Sequence, residues 1–254
     1  MAQQRFQQQH PQPAAEAEGM KVAIVEQRFD SSTAMTAALA AFSLPLIAGA
    51  LQVQSTATLL LSGGRTPLPF YAHLAQQPLP WQRVQLALVD ERWVPTTHAA
   101  SNERALRQCF AGNDIVLQNF TGMYNGALHA AQAVDACSQR YAALAWPATL
   151  AVLGMGSDGH TASLFPGATG LEAALRTHNY CAAIDAVPSA STGDCTERMT
   201  LSLHALLQCR QLVLLIQGDE KWQIYQRAKQ RADSSLPISL LLQQTQAIQV
   251  FWSP

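Results

Sequence analysis

The sequence predicts a doubly wound α/β fold, in which a mostly parallel sheet carries helices on both faces. Short apolar segments alternate with helical stretches along the 254 residues, an order typical of repeated β–α units. Several apolar segments are continuous rather than alternating, which is typical of strands buried on both sides of a parallel sheet. We also expect small additional β/α elements beside this sheet.

Seven apolar segments fit strands, and five longer stretches between them fit helices. The predicted strands are Lys21–Gln27, Ala57–Gly63, Val84–Glu91, Thr149–Gly156, Tyr180–Val187, Gln211–Gly218 and Ala247–Ser253. The predicted helices are Ser31–Leu51, Pro67–Gln76, Asn102–Cys109, Leu128–Ala145 and Glu220–Arg231. Because no linker or repeat interrupts this order, residues 20–254 are predicted to form a single α/β domain. Residues 1–19 are rich in Gln, Pro and Ala, offer little to bury, and are predicted to be a disordered tail.

The composition argues against several classes of protein. The net charge is -1 and no basic block occurs, so we expect no nucleic-acid partner. The five cysteines form no Cys-x-x-Cys motif, which argues against a disulfide scaffold or zinc finger and favours a cytoplasmic location. No two histidines have zinc-ligand spacing and no Gly-x-Ser-x-Gly motif occurs, so neither a metal site nor a covalent serine hydrolase is predicted.

The uncharged stretch Ala34–Val53 raises the question of a membrane span. It is rich in Ala, contains Ser and Thr, and has Pro45 and Gly49 inside, whereas a real span needs about 20 strongly apolar residues. It also begins too late, after a Gln-rich segment, for a signal peptide. We therefore expect a buried helix that bends near Pro45, and no membrane partner.

Polar clusters follow four of the predicted strands. They are Ser62–Pro67, Asp90–Arg92, Gly154–His160 and Gly218–Lys221. The carboxyl ends of parallel strands lie at one edge of the sheet, where ligands bind in open α/β folds. The sequence therefore predicts that these four clusters converge on one site.

The first cluster is typical of a phosphate-binding turn. Gly63 and Gly64 let the backbone approach an anion, while Thr66 is expected to cap the next helix and Pro67 to lie in its first turn. Free N–H groups and the helix dipole would then face the ligand. An ordinary strand–helix turn with a good cap gives the same pattern.

Two cations elsewhere in the chain fit the same anion. Lys221 lies in the first turn of a predicted helix, where a cation opposes the dipole unless an anion is bound nearby. A solvated lysine beside two acidic residues is the alternative explanation. Arg198 precedes an apolar run and can hold phosphate through a bidentate contact, although an isolated surface arginine is the simpler interpretation.

The third cluster contains Gly-x-Gly-x-x-Gly after a strand, which also marks dinucleotide-binding turns, and Asp185 lies near the place of a ribose-binding acid. However, the cluster comes late in the chain and carries Asp158 and His160 inside the turn, where a nucleotide needs close backbone approach. An imidazole in such a turn suits acid–base chemistry near neutral pH, and the nearby carboxylate can orient it. A hydrogen-bonded structural histidine is the alternative, which the neighbouring clusters disfavour.

Taken together, the motifs resemble the signature set of the 6-phosphogluconolactonases. They are SGGRTP, DERWVP followed by Ser101-Asn102, LGMGSDGHTASLFPG, and RMTL followed by GDEK, and they occur in the family's order from Lys21 to the end. The wider superfamily includes glucosamine-6-phosphate deaminases and has a Rossmann-like sheet. The resemblance therefore implies a Rossmann-like doubly wound fold and hydrolysis of 6-phospho-D-glucono-1,5-lactone to 6-phosphogluconate.

The resemblance also implies roles for individual residues. It implies His160 as the catalytic base with Asp158 and Arg92 beside it, a 6-phosphate site of Ser62, Gly63, Gly64, Thr66, Arg198 and Lys221, and a substrate pocket with Asp90, Gly154, Gly156 and Gly159. No metal or cofactor is implied, and the expected partner is a small sugar-phosphate lactone. The expected assembly is a monomer or small homo-oligomer.

One position distinguishes the two activities of the superfamily. The deaminases resemble DGHIAFNEP in the third motif, with a Glu paired to the His, whereas this chain has Phe165 at the equivalent position. The missing carboxylate favours hydrolysis over ring-opening isomerisation. A deaminase-like enzyme and a non-catalytic sugar-phosphate sensor remain the alternatives.

Overall fold

The computed structural model describes residues 24–244 and 247–254, so the predicted tail, residues 1–19, lies outside the described residues. The strands are β1 (Ile24–Arg28), β2 (Ala57–Leu61), β3 (Val84–Leu88), β4 (Asp90–Arg92), β5 (Phe120–Thr121), β6 (Leu150–Gly154), β7 (Cys181–Asp185), β8 (Glu197–Leu201), β9 (Leu212–Gln217) and β10 (Ile248–Ser253). The helices are α1 (Ser32–Val53), α2 (Leu68–Ala75), α3 (Asn102–Cys109), α4 (Asp114–Gln118), α5 (Ala130–Ala142), α6 (Leu171–Arg176), α7 (Leu203–Leu207), α8 (Asp219–Ala228) and α9 (Ile238–Leu242).

A seven-stranded sheet in the order β1-β10-β9-β6-β2-β3-β5 forms the centre of the molecule, and all its pairs are parallel. Every residue of β2 is buried, as expected for a strand covered on both faces. The chain runs outward from β2 through β3 to β5 and then returns to β6 on the other side of β2. This confirms the doubly wound fold and places its topological switch point between β2 and β6.

A second, three-stranded sheet in the order β4-β8-β7 is antiparallel. It contains one strand where the sequence predicts it, β7, and it divides another predicted strand in two. The apolar run Tyr180–Val187 resembles the parallel strands, but β7 lies in this small sheet. The run Val84–Glu91 is two strands rather than one, because the chain changes sheets at Val89. The Val89 N–H donates to Leu61 O of β2 at 3.0 Å, while its carbonyl accepts from Leu201 N of β8 at 2.8 Å.

Helix α1 is the uncharged stretch that resembles a membrane span. It begins at a cap in which Ser31 Oγ accepts from Ala34 N at 3.2 Å, and it continues through Pro45. Among the described helices, it alone is long and apolar enough to cross a membrane. Its large buried side chains, including Met35, Leu39 and Ile47, belong to the hydrophobic core, and the helix packs against the central sheet. A core helix therefore explains its composition.

Candidate active site

A cavity of about 380 Å³ opens at the switch point, beside the carboxyl ends of β2 and β6. Ligands bind at this place in open α/β sheets, because the loops after the two strands diverge there. Members of all four polar clusters line it: Ser62–Pro67, Asp90 and Arg92, Gly154–Ser157 with His160, and Lys221. The structure thus brings together the four strand-end clusters that the sequence singles out.

His160 and Asp158 form the closest polar pair at this cavity. His160 Nδ1 lies 2.5 Å from Asp158 Oδ1, which also accepts from the His160 backbone N–H at 3.1 Å. The two bonds hold both the ring and the backbone of His160 to one carboxylate oxygen. His160 lines the cavity, whereas Asp158 does not. The carboxylate therefore binds the Nδ1 side of the imidazole without itself forming part of the cavity wall.

The protonation of this pair follows from its surroundings. Partial burial raises the pKa of Asp158, but the hydrogen bonds from His160 and the ring's charge when protonated outweigh it, so the pKa lies below its ordinary value. At neutral pH Asp158 is therefore ionised and can only accept hydrogen bonds. A neutral His160 must then carry its proton on Nδ1, which leaves the lone pair of Nε2 available.

The imidazole of His160 is also confined by packing. The Phe165 ring lies with its centroid 4.1 Å from that of His160 at an interplanar angle of 35°. A Cβ atom at Gly156 would collide with the His160 ring, and the Gly156 N–H donates to His160 O at 3.0 Å. A glycine is therefore required for the ring to lie where it does.

The loop after β2 presents polar groups that the protein itself does not bind. Ser62 is buried, yet its hydroxyl has no hydrogen-bond partner among the described residues. Gly64 has a φ of 89°, a conformation that favours glycine. Arg65 is exposed on the cavity wall and has no hydrogen bond or ion pair with the described residues. The loop therefore offers donors to a ligand.

The predicted cap at Thr66 is wrong. Pro67 occupies the N-cap position of α2 and provides no side-chain bond, while Thr66 Oγ1 donates to Gln217 Oε1 at 3.4 Å. The chain turns into the helix one residue later than the sequence suggests, so the Thr66 hydroxyl points to the end of β9. Thr66 nevertheless lines the cavity.

Two further cations reach the cavity from different elements. Lys221 is the third residue of α8, whose N-cap Gly218 makes no side-chain cap bond. Arg198 is 2% exposed and donates from Nε to Cys195 O and from Nη2 to Thr192 O, both at 2.7 Å. Burial lowers the pKa of the Arg198 guanidinium, while the charge of Asp90 opposes this shift. Arg198 therefore lines the cavity and also ties the loop before β8.

The inner wall of the cavity is built around Asp90. Its Oδ2 accepts from Ser163 Oγ at 2.6 Å, and its Oδ1 accepts from Asn102 Nδ2 at 3.3 Å. Arg92 donates from Nη1 to Ala100 O at 2.6 Å, while its buried Nε has no partner among the described residues. Asp90 is thus fixed by neighbours, and Arg92 keeps one donor that the described chain does not satisfy.

Some site residues differ from their predicted place. Gly159, predicted in the pocket, lies outside the lining and has a φ of 76°, with its missing Cβ directed at Leu236. Asp185, the candidate ribose-binding acid, lies on β7 and does not line the cavity either. Sequence reasoning assigns no role to Asn102, Ser163 or Arg65. The only sequence signal for these residues is that each lies inside one of the quoted motifs.

Across the described ranges, no group of three His, Cys, Asp or Glu side chains is arranged to hold a metal ion.

Comparison with known proteins agrees with this geometry. The model of the family described as glucosamine-6-phosphate isomerases/6-phosphogluconolactonase matches residues 30–252. A 6-phosphogluconolactonase of Rhizobium meliloti is 34% identical over 228 residues, which cover 89% of this chain and 97% of the relative. The one from Pseudomonas aeruginosa is 34% identical over 195 residues, covering 77% of this chain and 81% of the relative.

A solved structure supports the same assignment. The crystal structure of a 6-phosphogluconolactonase from Shewanella baltica superposes with a TM-score of 0.84 at 33% identity, covering 93% of this chain and 100% of that chain. Fold and cavity together define an α/β enzyme with its site at the switch point of a parallel sheet. The chain belongs to the glucosamine-6-phosphate isomerase/6-phosphogluconolactonase family.

Proposed function

We propose that this enzyme hydrolyses 6-phospho-D-glucono-1,5-lactone to 6-phosphogluconate. The observation that carries the proposal is the His160–Asp158 pair on a cavity whose other walls carry unpaired donors and cations. The relatives that align with most of the chain are named for this activity. The reaction needs one group that moves a proton and others that hold a phosphate, and the cavity offers both kinds.

His160 acts in this proposal as the general base. Its Nε2 lone pair takes a proton from a water molecule, and the hydroxide so formed attacks the lactone carbonyl carbon. Asp158 stabilises the imidazolium that results, because its carboxylate lies 2.5 Å from Nδ1. A positioned base of this kind typically contributes about 10²–10⁴-fold to the rate.

The tetrahedral intermediate then collapses with loss of the ring oxygen. The proton on Nε2 passes to that oxygen, which leaves as the 5-hydroxyl of 6-phosphogluconate and returns His160 to its neutral form. Arg92 supplies positive charge for the oxyanion, since one of its guanidinium nitrogens lacks a partner among the described residues. The mechanism uses the protein's own side chains and water.

The 6-phosphate binds in this proposal at the loop after β2. The buried Ser62 hydroxyl and the backbone of Gly63 and Gly64 donate to it, Thr66 adds a hydroxyl, and Lys221 and Arg198 provide charge. Arg198 already donates two hydrogen bonds to carbonyl groups, so its contribution is mainly electrostatic. Holding the phosphate places the lactone carbonyl near His160 and so lowers the entropic part of the barrier.

A lactonase assay corrected for spontaneous hydrolysis tests the proposal directly. We expect rapid hydrolysis of the 6-phospholactone and no ammonia release from glucosamine 6-phosphate, because Phe165 packs on His160 where a deaminase would need a carboxylate. Ammonia release would establish the deaminase alternative. Binding of 6-phosphogluconate without lactone hydrolysis would identify a sensor instead. We also propose a cytoplasmic location and a monomer or small homo-oligomer of one catalytic domain.

A further inference from the structure

Glu91 is a buried carboxylate behind the cavity wall that the proposed mechanism does not use. It lies between Asp90 and Arg92 on β4, and both neighbours line the cavity. Successive side chains of a strand point to opposite faces, so Glu91 points away from the cavity. It is 0% exposed, and a charged side chain is rarely buried so completely without a specific set of partners.

Four donors surround the Glu91 carboxylate. Oε1 accepts from Asn102 N at 2.7 Å and from its neighbour Arg92 N at 2.8 Å. Oε2 accepts from Ser101 Oγ at 2.9 Å and from Glu103 N at 2.8 Å. Each oxygen accepts two bonds, the full capacity of a carboxylate. Burial raises the pKa of Glu91, and these four bonds oppose the shift. Three of the donors belong to the first residues of α3 or its N-cap, so one side chain of β4 fixes the start of that helix.

The start of α3 is itself part of the cavity wall. Asn102 donates from Nδ2 to Asp90 O at 2.9 Å, in addition to its bond to the Asp90 carboxylate. The Asn102 side chain also occupies the space that a Cβ atom at Gly63 would need. Asn102 therefore orients Asp90 together with Ser163, and it leaves room only for glycine at position 63.

We propose that Glu91 is a positioning residue that holds Asn102, and through it Asp90, in the geometry that the lactone requires. The proposal rests on the proposed function, since it assumes that the cavity binds and hydrolyses the lactone. Glu91 touches no substrate, and its effect passes through the backbone N–H of Asn102. Loss of this contact shifts the inner wall, and misplacements of about 1 Å cost about 10²-fold in rate.

The test is a pair of double-mutant cycles on kcat/KM for the 6-phospholactone. Glu91→Gln places an NH₂ group against N–H donors, and we expect about a 10- to 100-fold loss. Asn102→Ser removes the amide that Glu91 positions, so the double variant Glu91→Gln/Asn102→Ser should be little worse than the more impaired single variant. The double variant Glu91→Gln/Lys221→Gln should instead show multiplied losses, because Lys221 acts on another wall.

Glu103→Gln is the matched control, since Glu103 is a second buried carboxylate, on α3, that does not line the cavity. The substitution leaves intact the Glu103 backbone N–H that donates to Glu91. We expect it to lower the melting temperature and leave kcat/KM of the folded protein unchanged. All rates are measured per folded molecule, below the thermal transition of each variant. If Glu91→Gln does not fold, Glu91→Asp replaces it in the same cycles, because a carboxylate one methylene shorter cannot reach all four donors.

The outcomes separate this proposal from the proposed function. A wild-type protein without lactonase activity would refute the function itself. An active wild type with an equally active Glu91→Gln variant would refute only the positioning role. Equal coupling of Glu91 with Asn102 and with Lys221 would also overturn it, since a general loss of structure affects both pairs alike.

Discussion

The two sides of the cavity are built in opposite ways. On the base side, defined by His160, Asp158, Gly156 and Phe165, the groups bind or pack against one another, and the imidazole is held from several directions. On the anion side, defined by Ser62–Thr66 and Lys221, Thr66 makes one long bond to Gln217 at 3.4 Å. The buried Ser62 hydroxyl, however, lacks a partner, and Arg65 makes no polar contact with the described residues.

The difference matches what each side has to do in the proposed reaction. A proton-transfer group must keep one tautomer and one orientation, so its partners belong to the protein. An anion-binding group must keep its donors for the ligand, so internal partners would weaken it. Substitutions on the base side should therefore reduce kcat, and those on the anion side should raise KM.

The largest effect is expected from His160→Asn. Loss of the base should lower kcat by about 10²–10⁴-fold with little change in KM, because the phosphate contacts remain. Steady-state kinetics of the folded variant measures this. His178→Asn is the control, since His178 is exposed and does not line the cavity. A His160→Asn variant with near wild-type turnover would remove the distinction between the two sides.

A smaller effect, on KM rather than on kcat, is expected from Lys221→Gln. A charge-assisted contact to the phosphate contributes equally in the ground and transition states, so KM should rise by about 10- to 100-fold at nearly constant kcat. Arg227→Gln removes the same charge from the exposed part of α8 and should leave KM unchanged. Equal KM values for the two variants would contradict a phosphate site at Lys221.

Arg65→Gln should raise KM by only about 2- to 5-fold at low ionic strength, because an exposed charge is largely screened. The effect should vanish at high salt, whereas that of Lys221→Gln should persist in part. Measuring KM for both variants at two salt concentrations sharpens the comparison within the anion side. A salt-independent defect would show that Arg65 makes a direct, desolvated contact.

The smallest effect concerns the acid stability of the base side. Because the pKa of Asp158 is lowered in the folded protein, the unfolded chain binds more protons as the pH falls below about 4. Its stabilising contribution is complete above that pH and is lost as the pH falls through the folded pKa. Urea unfolding of wild type and Asp158→Asn at pH 6 and below pH 4 should show their stabilities converging on acidification. If the difference in unfolding free energy between the two proteins were the same at both pH values, ionisation of Asp158 would not contribute to stability.

The fold was largely predictable where one strand forms one continuous apolar run. β2, β3, β6, β9 and β10 lie within their predicted segments, and α3 has the predicted bounds, Asn102–Cys109. The small antiparallel sheet was not predictable from the sequence. The apolar segment that contains β7 resembles those of the parallel strands, and β4 follows β3 after a single residue, so the change of sheet leaves no gap in the apolar run. The hydrophobic pattern of a segment indicates whether a strand is buried, but it does not indicate which other strand it pairs with.

The site was predictable to a similar extent. Clusters at the carboxyl ends of parallel strands meet at one edge of the sheet, so the sequence alone can identify Ser62, Asp90, His160 and Lys221 as site residues. The contacts of Asn102 with Asp90 and Gly63 depend on how α3 packs against β4. Contacts of this kind produce no periodic pattern in the sequence. The sequence therefore indicates only that Asn102 belongs to a motif, and not which residues it contacts.

The collision between the His160 ring and any side chain at Gly156 has a consequence for the evolution of this family. The two positions cannot vary independently, because even a methyl group at the first displaces the ring at the second. A chain that keeps the histidine but carries a side chain at the glycine position must hold its imidazole elsewhere. In this chain, therefore, any substitution at Gly156 is expected to disturb the catalytic imidazole even though residue 156 takes no part in the chemistry.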